Sequence, residues 1–283
     1  MERPKATAKR YGIAEWYGKD FTTLSPTEMR DLADKPVKSL PCPFRDAPCN
    51  KKGGVCSMRR YERRGDLAVA LRESPVTMCP YRFLQDGTVF AWIGREILGA
   101  ESPRVLTELP FLMAQDGAAG RPVGKIDMVL VDLCGGQLRW CALEMQAVYF
   151  SGSAMTSDFE LLKNWHTAGL PFPTRQRRPD FRSSGPKRLM PQLQIKVPTI
   201  SRWGKKTAVV VDRAFWNALA PMAEVPSTSN CDIAWFVVDF ERCADSRSFS
   251  LVRDSLHLTT LERAVEGLTG GTPTSLADFE EHL

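Results

Sequence analysis

Arg139-Trp-Cys-Ala-Leu-Glu-Met-Gln-Ala-Val-Tyr-Phe150 is an apolar run that carries a carboxylate, Glu144, at its centre. A strand that buries an acid is penalised heavily unless something compensates the charge. Upstream lies a second β-type run, Val123-Gly-Lys-Ile-Asp-Met-Val-Leu-Val-Asp132, and Leu133-Cys-Gly-Gly-Gln137 joins the two. A Gly-Gly pair between such runs predicts a tight hairpin, because the favoured turns want positive φ at their central residues. With Gly135 and Gly136 in the loop, Cys134 opposes Gln137. Counting back along both strands then sets Asp127 opposite Glu144 and Lys125 opposite Gln146. Side chains two apart on a strand share a face, so these four project together. Opposed Cβ atoms are roughly 4.5 to 5.5 Å apart, a separation at which two carboxylates can share a divalent cation. Without a cation the pair would repel and one acid would hold its proton. Acids at sheet edges are also ordinary surface residues or caps. The matched register, with an amide two residues on, favours a site over that reading, and a bulge in either strand would break it.

An acid on one strand, followed across a hairpin by acid-x-Lys, is the signature of the PD-(D/E)xK nucleases, and Asp127 with Glu144-Met-Gln146 resembles it. The chain departs twice: no proline precedes Asp127, and Gln146 stands where the motif has Lys. A glutamine orients a water and cannot take its proton. Longer blocks carry a closer match. Glu15-Trp-Tyr-Gly18, Cys42-Pro-Phe44, Cys49-Asn-Lys-Lys-Gly-Gly-Val-Cys56, Ala142-Leu-Glu-Met-Gln-Ala-Val-Tyr-Phe-Ser-Gly152 and Lys196-Val-Pro198 with Arg202-Trp-Gly-Lys-Lys206 are similar to the NotI-type restriction endonucleases. These blocks extend from about residue 12 to about residue 216. The resemblance implies a homodimeric, Mg²⁺-dependent type II endonuclease that cuts both strands of double-stranded DNA at a palindromic, GC-rich site. It further implies an upstream acid, for which Glu108 in Leu106-Thr-Glu-Leu-Pro-Phe111 is the candidate ahead of Glu96. On this reading Asp127 and Glu144 hold one or two Mg²⁺ and Gln146 holds the attacking water; the register itself adds Lys125, a cation beside Gln146 that offsets the missing motif lysine.

The eight cysteines stand at 42, 49, 56, 79, 134, 141, 231 and 243, and the first four are spaced C-x6-C-x6-C-x22-C. Cys42, Cys49 and Cys56 fall among Pro, Gly and Lys, where no apolar periodicity points to core packing. With Cys79 they form a candidate four-thiolate site, which suits tetrahedral Zn²⁺ or a single iron. The spacing lacks a C-x2-C knuckle, so a structural metal and disulfides both remain open, although no secretory leader supports disulfides. The resemblance implies the metal, with iron in relatives, and leaves zinc open. Cys141 falls on the opposite strand face from Glu144, where core packing is the default, and the scattered His166, His257 and His282 suggest no His-based nuclease.

Net charge is only +5 over 283 residues, mild for a DNA-binding chain, but the charge is concentrated. Lys51, Lys52, Arg59, Arg60, Arg63 and Arg64 surround the third cysteine, and Arg175, Arg177, Arg178, Arg182, Lys187 and Arg188 lie in the Pro-rich segment 171–191. Any one of them reads as a solvated charge; together they predict phosphate contact, with Arg able to read guanine. The stretch 172–190 has no periodicity and reads as a loop that orders on DNA.

Along the chain, Ser25 and Pro26 open a helix over 26–34, and 36–85 reads as a mostly irregular cysteine region. Residues 88–99 read as helical, and the hairpin occupies about 123–150. Ser157-Asp-Phe-Glu160 reads as a capping box for a helix ending near Gly169. Strands are predicted at about 193–197, 206–211 and 232–240. Thr259-Thr-Leu-Glu262 reads as a further capping box, and a short helix follows Ser275. The class is therefore α/β or α+β around a mixed central sheet flanked by helices. Residues 1–85 form a metal-binding, DNA-contacting region and 86–283 the catalytic core. No apolar run is long enough to span a membrane, and a cytoplasmic location is expected. The expected function is type II restriction cleavage of DNA. The alternatives are a DNA repair or structure-specific nuclease on the same core, or a DNA-binding regulator with a four-cysteine metal site and no catalysis.

Overall fold

The computed structural model of the protein describes residues 7–36, 38–114, 121–134, 136–242, 246–270 and 274–283. Strands in chain order are β1 (Lys9–Trp16), β2 (Lys19–Asp20), β3 (Val55–Arg64), β4 (Leu67–Ala70), β5 (Val76–Thr77), β6 (Arg104–Met113) and β7 (Pro122–Cys134). There follow β8 (Gln137–Met145), β9 (Phe150–Gly152), β10 (Leu170–Pro171), β11 (Arg177–Pro179), β12 (Thr207–Asp212), β13 (Ile233–Arg242) and β14 (Phe249–Thr259). The α-helices are α1 (Pro26–Ala33), α2 (Thr88–Ile93), α3 (Thr156–Lys163), α4 (Phe181–Ser184), α5 (Met190–Arg202), α6 (Arg213–Trp216), α7 (Leu261–Thr269) and α8 (Leu276–Glu280).

Every residue of β12 is buried, including the unbroken apolar run Ala208-Val-Val-Val211, so this strand must be covered on both faces. It is parallel to both its neighbours, β8 and β13, and lies within a six-stranded sheet ordered β14-β13-β12-β8-β7-β6. On one face Ala208 and Val210 pack with Leu130, Cys141, Leu143 and Phe236 against Phe83, Val89, Trp92 and Ile93. On the other, Val209 and Val211 pack with Trp235 and Val237 against Leu193, Val197, Phe215, Ala264 and Leu268. The mixed sheet with helices on both faces agrees with the expected class. No helix among the described residues is long and apolar enough to cross a membrane.

The N-terminal region is more regular than its composition suggests. Strands β10-β4-β3-β1-β2, with β5 on β3, form a second six-stranded sheet around Ile13, Trp16, Met58 and Tyr61. The sequence reading missed β1 and β3 because their outward residues are largely charged. β10 joins this sheet from far along the chain, pairing Leu170 with Ala68.

Other departures have local causes. The stretch 193–197 is helical, inside α5: Leu193-Gln-Ile-Lys-Val197 alternates like a strand, but the buried residues are Leu193, Lys196, Val197 and Ile200, a helical stripe. That leaves Ile195 exposed. The box at Ser157 does not form; α3 starts earlier, has no side-chain cap, ends at Lys163, and Ser157 Oγ instead meets Thr174 Oγ1 at 2.7 Å. Thr260 rather than Thr259 caps α7, accepting from the Arg263 N–H. Ser25 and Glu28 do form the box that opens α1, and Ser275 caps α8.

The segment 172–190 is built, not a loop. β11 pairs with β9, α4 follows, and a π-helical turn at Gly185–Leu189 leads into α5.

Candidate active site

The hairpin has the expected register. Cys134 opposes Gln137, and the pairing runs without a bulge to Met128 opposite Leu143. Gly136 has φ of 80°, as the tight turn requires, while Gly135 lies outside the described residues. Asp127 and Glu144 are the next residues on each strand, at the point where the ladder ends. Beyond it the strands part. Gln146 N–H donates to Val210 O at 3.0 Å, so β8 continues along β12. Lys125 therefore does not stand opposite Gln146; its Nζ donates to Glu108 Oε2 at 2.8 Å, which corrects the register expectation for this pair.

The two acids have different surroundings. Asp127 is exposed, whereas Glu144 is 2% exposed. Lys196 Nζ, from α5, donates to Glu144 Oε1 at 2.5 Å and approaches Gln192 Oε1 at 3.4 Å. Burial pushes the Glu144 carboxyl above its ordinary range, the Lys196 ammonium pulls it back, and Asp127 pushes it up again. The burial outweighs the ammonium. The charge of Asp127 thus reaches Glu144, as the hairpin register requires.

Glu108, on β6, sits across from Asp127 with φ of 55°, a backbone state that few side chains other than glycine adopt. Its ion pair with Lys125 holds its carboxyl below the usual range. Glu108 and Asp127 line one cleft of about 460 Å³ together with Arg45, Tyr81, Met128 and Met145. Glu96 is exposed on the turn after α2 and does not line it. A second cleft, about 370 Å³, adjoins the first at Pro80 and Met145; Gln146, Lys51, Tyr149 and Arg188 line it. Gln146 turns its amide to Ala147 O at 2.5 Å, and Arg188 lies over the Tyr149 ring at 4.7 Å.

The basic residues divide by exposure. Lys52, Arg175, Arg178, Arg182, Lys187 and Arg188 are exposed. Arg177 is 3% exposed and withdrawn from any ligand: its guanidinium pairs with Asp158 and donates to Ser153 O and Ala154 O at 2.8 and 2.9 Å. Arg59 is buried and donates to Leu71 O at 2.7 Å, Arg60 is held by Glu73 at 2.7 Å, and Lys51 donates to Met78 O at 3.1 Å. Arg177 and Arg59, both among the residues expected to contact DNA, are buried and tied into the fold by these bonds. Position in a charge cluster does not tell an inward side chain from an outward one.

Cys42, Cys49, Cys56 and Cys79 are free thiols, and all but Cys42 are buried. Cys79 N–H donates to Cys56 O at 3.1 Å, and Cys42 and Cys49 lie near enough to Cys79 to influence its thiol. Burial holds the Cys56 and Cys79 thiols above their ordinary pKa. Among the described residues no three of His, Cys, Asp or Glu stand together as a ready-made metal site. The donor set is nevertheless one that suits a thiophilic ion, and the free thiols exclude the disulfide alternative in this structure. Cys141 packs in the core as expected, and Cys243 lies outside the described residues.

Lys196 is the residue the sequence reading left without a role. Its signal was present: a lysine at the i+3 position of the stripe Leu193, Val197, Ile200 must be buried if the segment is a helix. The family model for restriction endonuclease NotI matches residues 28–251, most of the chain. No curated protein matches the chain.

Proposed function

The chain belongs to the restriction endonuclease NotI family, and from that premise we propose that it is a Mg²⁺-dependent type II restriction endonuclease whose cleavage site is built on Asp127 and Glu144. The observation that carries this reading is the hairpin register: β7 and β8 stay paired up to Met128 and Leu143, so the two acids emerge side by side at the end of the ladder. The cleft that Asp127 lines takes in Glu108 as well, and reaches Leu143 and Met145 on either side of Glu144.

Two carboxylates suffice for Mg²⁺, which prefers a few carboxylates plus waters and phosphate oxygens, so the donor set fits. Bound there, the ion would neutralise charge on the attacked phosphate and the leaving oxygen. Asp127 and Glu144 would hold it, with Glu108 as a third acid once Lys125 releases it. Gln146 cannot accept the proton of the attacking water; its amide orients that water by a hydrogen bond. The exposed Lys52, Arg175, Arg178, Arg182, Lys187 and Arg188 contact phosphates or guanine edges of a GC-rich, palindromic double-stranded site. A palindrome calls for a two-fold homodimer. Residues 1–85, with iron or zinc on Cys42, Cys49, Cys56 and Cys79, form the DNA-contacting region, and 86–283 form the catalytic core.

Plasmid digestion in Mg²⁺ tests the reading. Discrete fragments are expected from the wild-type chain, and sequencing their ends gives the site. Several kcal/mol of lost charge stabilisation predicts a fall of about 10²- to 10³-fold in rate for Asp127→Asn and Glu144→Ala. Wild-type cutting by either variant overturns the site; nicking without fragments indicates a repair nuclease, and binding without cleavage a regulator.

A further inference from the structure

Lys196 places a cation where the fold has least use for one. It belongs to the buried stripe of α5, whose other members, Leu193, Val197 and Ile200, are apolar. An apolar side chain at such a position is often as stabilising as a buried ion pair or more so, so stability alone does not account for the lysine. Its Nζ reaches Glu144 Oε1 at 2.5 Å, in a pair where the lysine is 8% and the glutamate 2% exposed. Gln192, one helical turn back, steadies the same ammonium at 3.4 Å. Glu144 Oε2 accepts no hydrogen bond from the described residues. One oxygen of this acid is therefore clamped from the helix side, and the other is left over. At Gln146, two residues on, the strand offers no positive charge.

We infer that Lys196 is a positioning residue of the cleavage site: by clamping Glu144 Oε1 from α5 it fixes the carboxylate so that Oε2 is presented to the cation shared with Asp127. This rests on the reading of Asp127 and Glu144 as the hydrolytic pair. The lysine acts through Glu144 and does not itself touch the DNA. It also sets a positive charge on the helix side of the strand end. Holding a ligand to a fraction of an ångström is worth about 100-fold in rate, because misplacement by about 1 Å costs that much.

The test compares Lys196→Met and Lys196→Arg with the wild-type chain. It follows single-turnover cleavage over a range of DNA and Mg²⁺ concentrations, Mn²⁺ binding by electron paramagnetic resonance, and the melting temperature. Lys196→Met is expected to keep its DNA KM, to lose about 100-fold in rate at saturating Mg²⁺, and to bind Mn²⁺ more weakly. Lys196→Arg, which keeps the charge, is expected to recover part of both losses. A merely structural ion pair predicts the opposite for the metal. Removing the ammonium would free Glu144 Oε1 and remove a competing charge, so Mn²⁺ would bind as tightly or more tightly. Unchanged or tighter Mn²⁺ binding with wild-type cleavage by the folded variant overturns the inference. If Lys196→Met does not fold, Lys196→Gln carries the same comparison, with a neutral donor to Glu144. The two readings fail separately: Asp127→Asn inactive with Lys196→Met fully active removes only the role of Lys196, whereas no cleavage by the wild-type chain overturns both.

Discussion

Asp212 shows how one side chain joins the two sheets. Its Oδ1 accepts from Phe215 N–H at 2.8 Å, capping α6, and its Oδ2 accepts from Thr77 N–H at 2.6 Å, tying β5 to the end of β12. Burial pushes its carboxyl from 3.8 up to about 6, against the pull of those hydrogen bonds. A folded pKa above the unfolded one means that the contribution is fully present below about pH 4 and is lost as pH rises through about 6. One pKa unit is roughly 1.4 kcal/mol, so the swing is about 3 kcal/mol. Asp212→Asn removes the titration. The stability difference between wild type and this variant, read from urea unfolding, is therefore expected to shrink in the wild type's disfavour between pH 4.5 and pH 7. A difference independent of pH would refute this origin. At this scale Glu144 was legible as an acid in an apolar run, and its hairpin partner Asp127 followed from counting. Lys196 was legible only as a lysine that a helix would bury; its contact with Glu144 is set by packing between α5 and β8.

Among elements, the arm from β9 to α5 separates structural cations from free ones. Arg177 neutralises Asp158, whose other oxygen accepts from Thr174 N–H at 2.8 Å. Arg177→Ala leaves that acid buried and unpaired, with an expected loss of about 3 to 5 kcal/mol in unfolding free energy. Arg182 is exposed on α4. Arg182→Ala should leave the melting temperature unchanged, weaken DNA binding, and reduce the salt slope by about one phosphate contact. Equal melting temperatures for the two variants would refute this division. The sequence marked both arginines as one cluster, since charge runs along the chain in one dimension. The pairing of β11 with β9 turns Arg177 inward and Arg178 outward, and Arg182 follows on α4, exposed. The helix α5 was misread for a related reason: over five residues, Leu193 to Val197, alternation fits a strand and a helix alike, and only the longer stripe to Ile200 decides.

At the scale of the molecule, buried charge fastens the N-terminal sheet to the central one. Arg82 Nε donates to Glu15 Oε1 at 2.8 Å, and its Nη2 donates to Phe249 O at 2.9 Å, with both side chains of the ion pair fully buried. Arg247, two residues before Phe249, reaches Glu28 Oε2 at 2.7 Å nearer the surface. Cys42, Cys49, Cys56 and Cys79 lie in this N-terminal region, so a metal on them would stiffen the wall of the cleft that Arg45 and Tyr81 line. Stripping that metal with a thiophilic chelator is expected to lower the melting temperature, and Cys79→Ser to abolish the effect, because structural metal binding is folding free energy. Removing Mg²⁺ alone should stop cleavage and leave the melting temperature almost unchanged. A melt indifferent to the thiophilic chelator would show that the cysteines hold no structural ion.

By itself the sequence determined the β7–β8 hairpin, its register, and with it the juxtaposition of Asp127 and Glu144. These depend on a tight turn and a two-residue period, both local in the chain. The motif blocks in the same way carried the family. Only the tertiary structure decided which charges were available. Lys196 against Glu144 joins α5 to β8 across 52 residues, while Lys125 against Glu108 and Arg177 against Asp158 join nearer elements whose pairing no turn motif marks. Desolvation and pairing act through space, and no local pattern records which side chain another element will bring alongside.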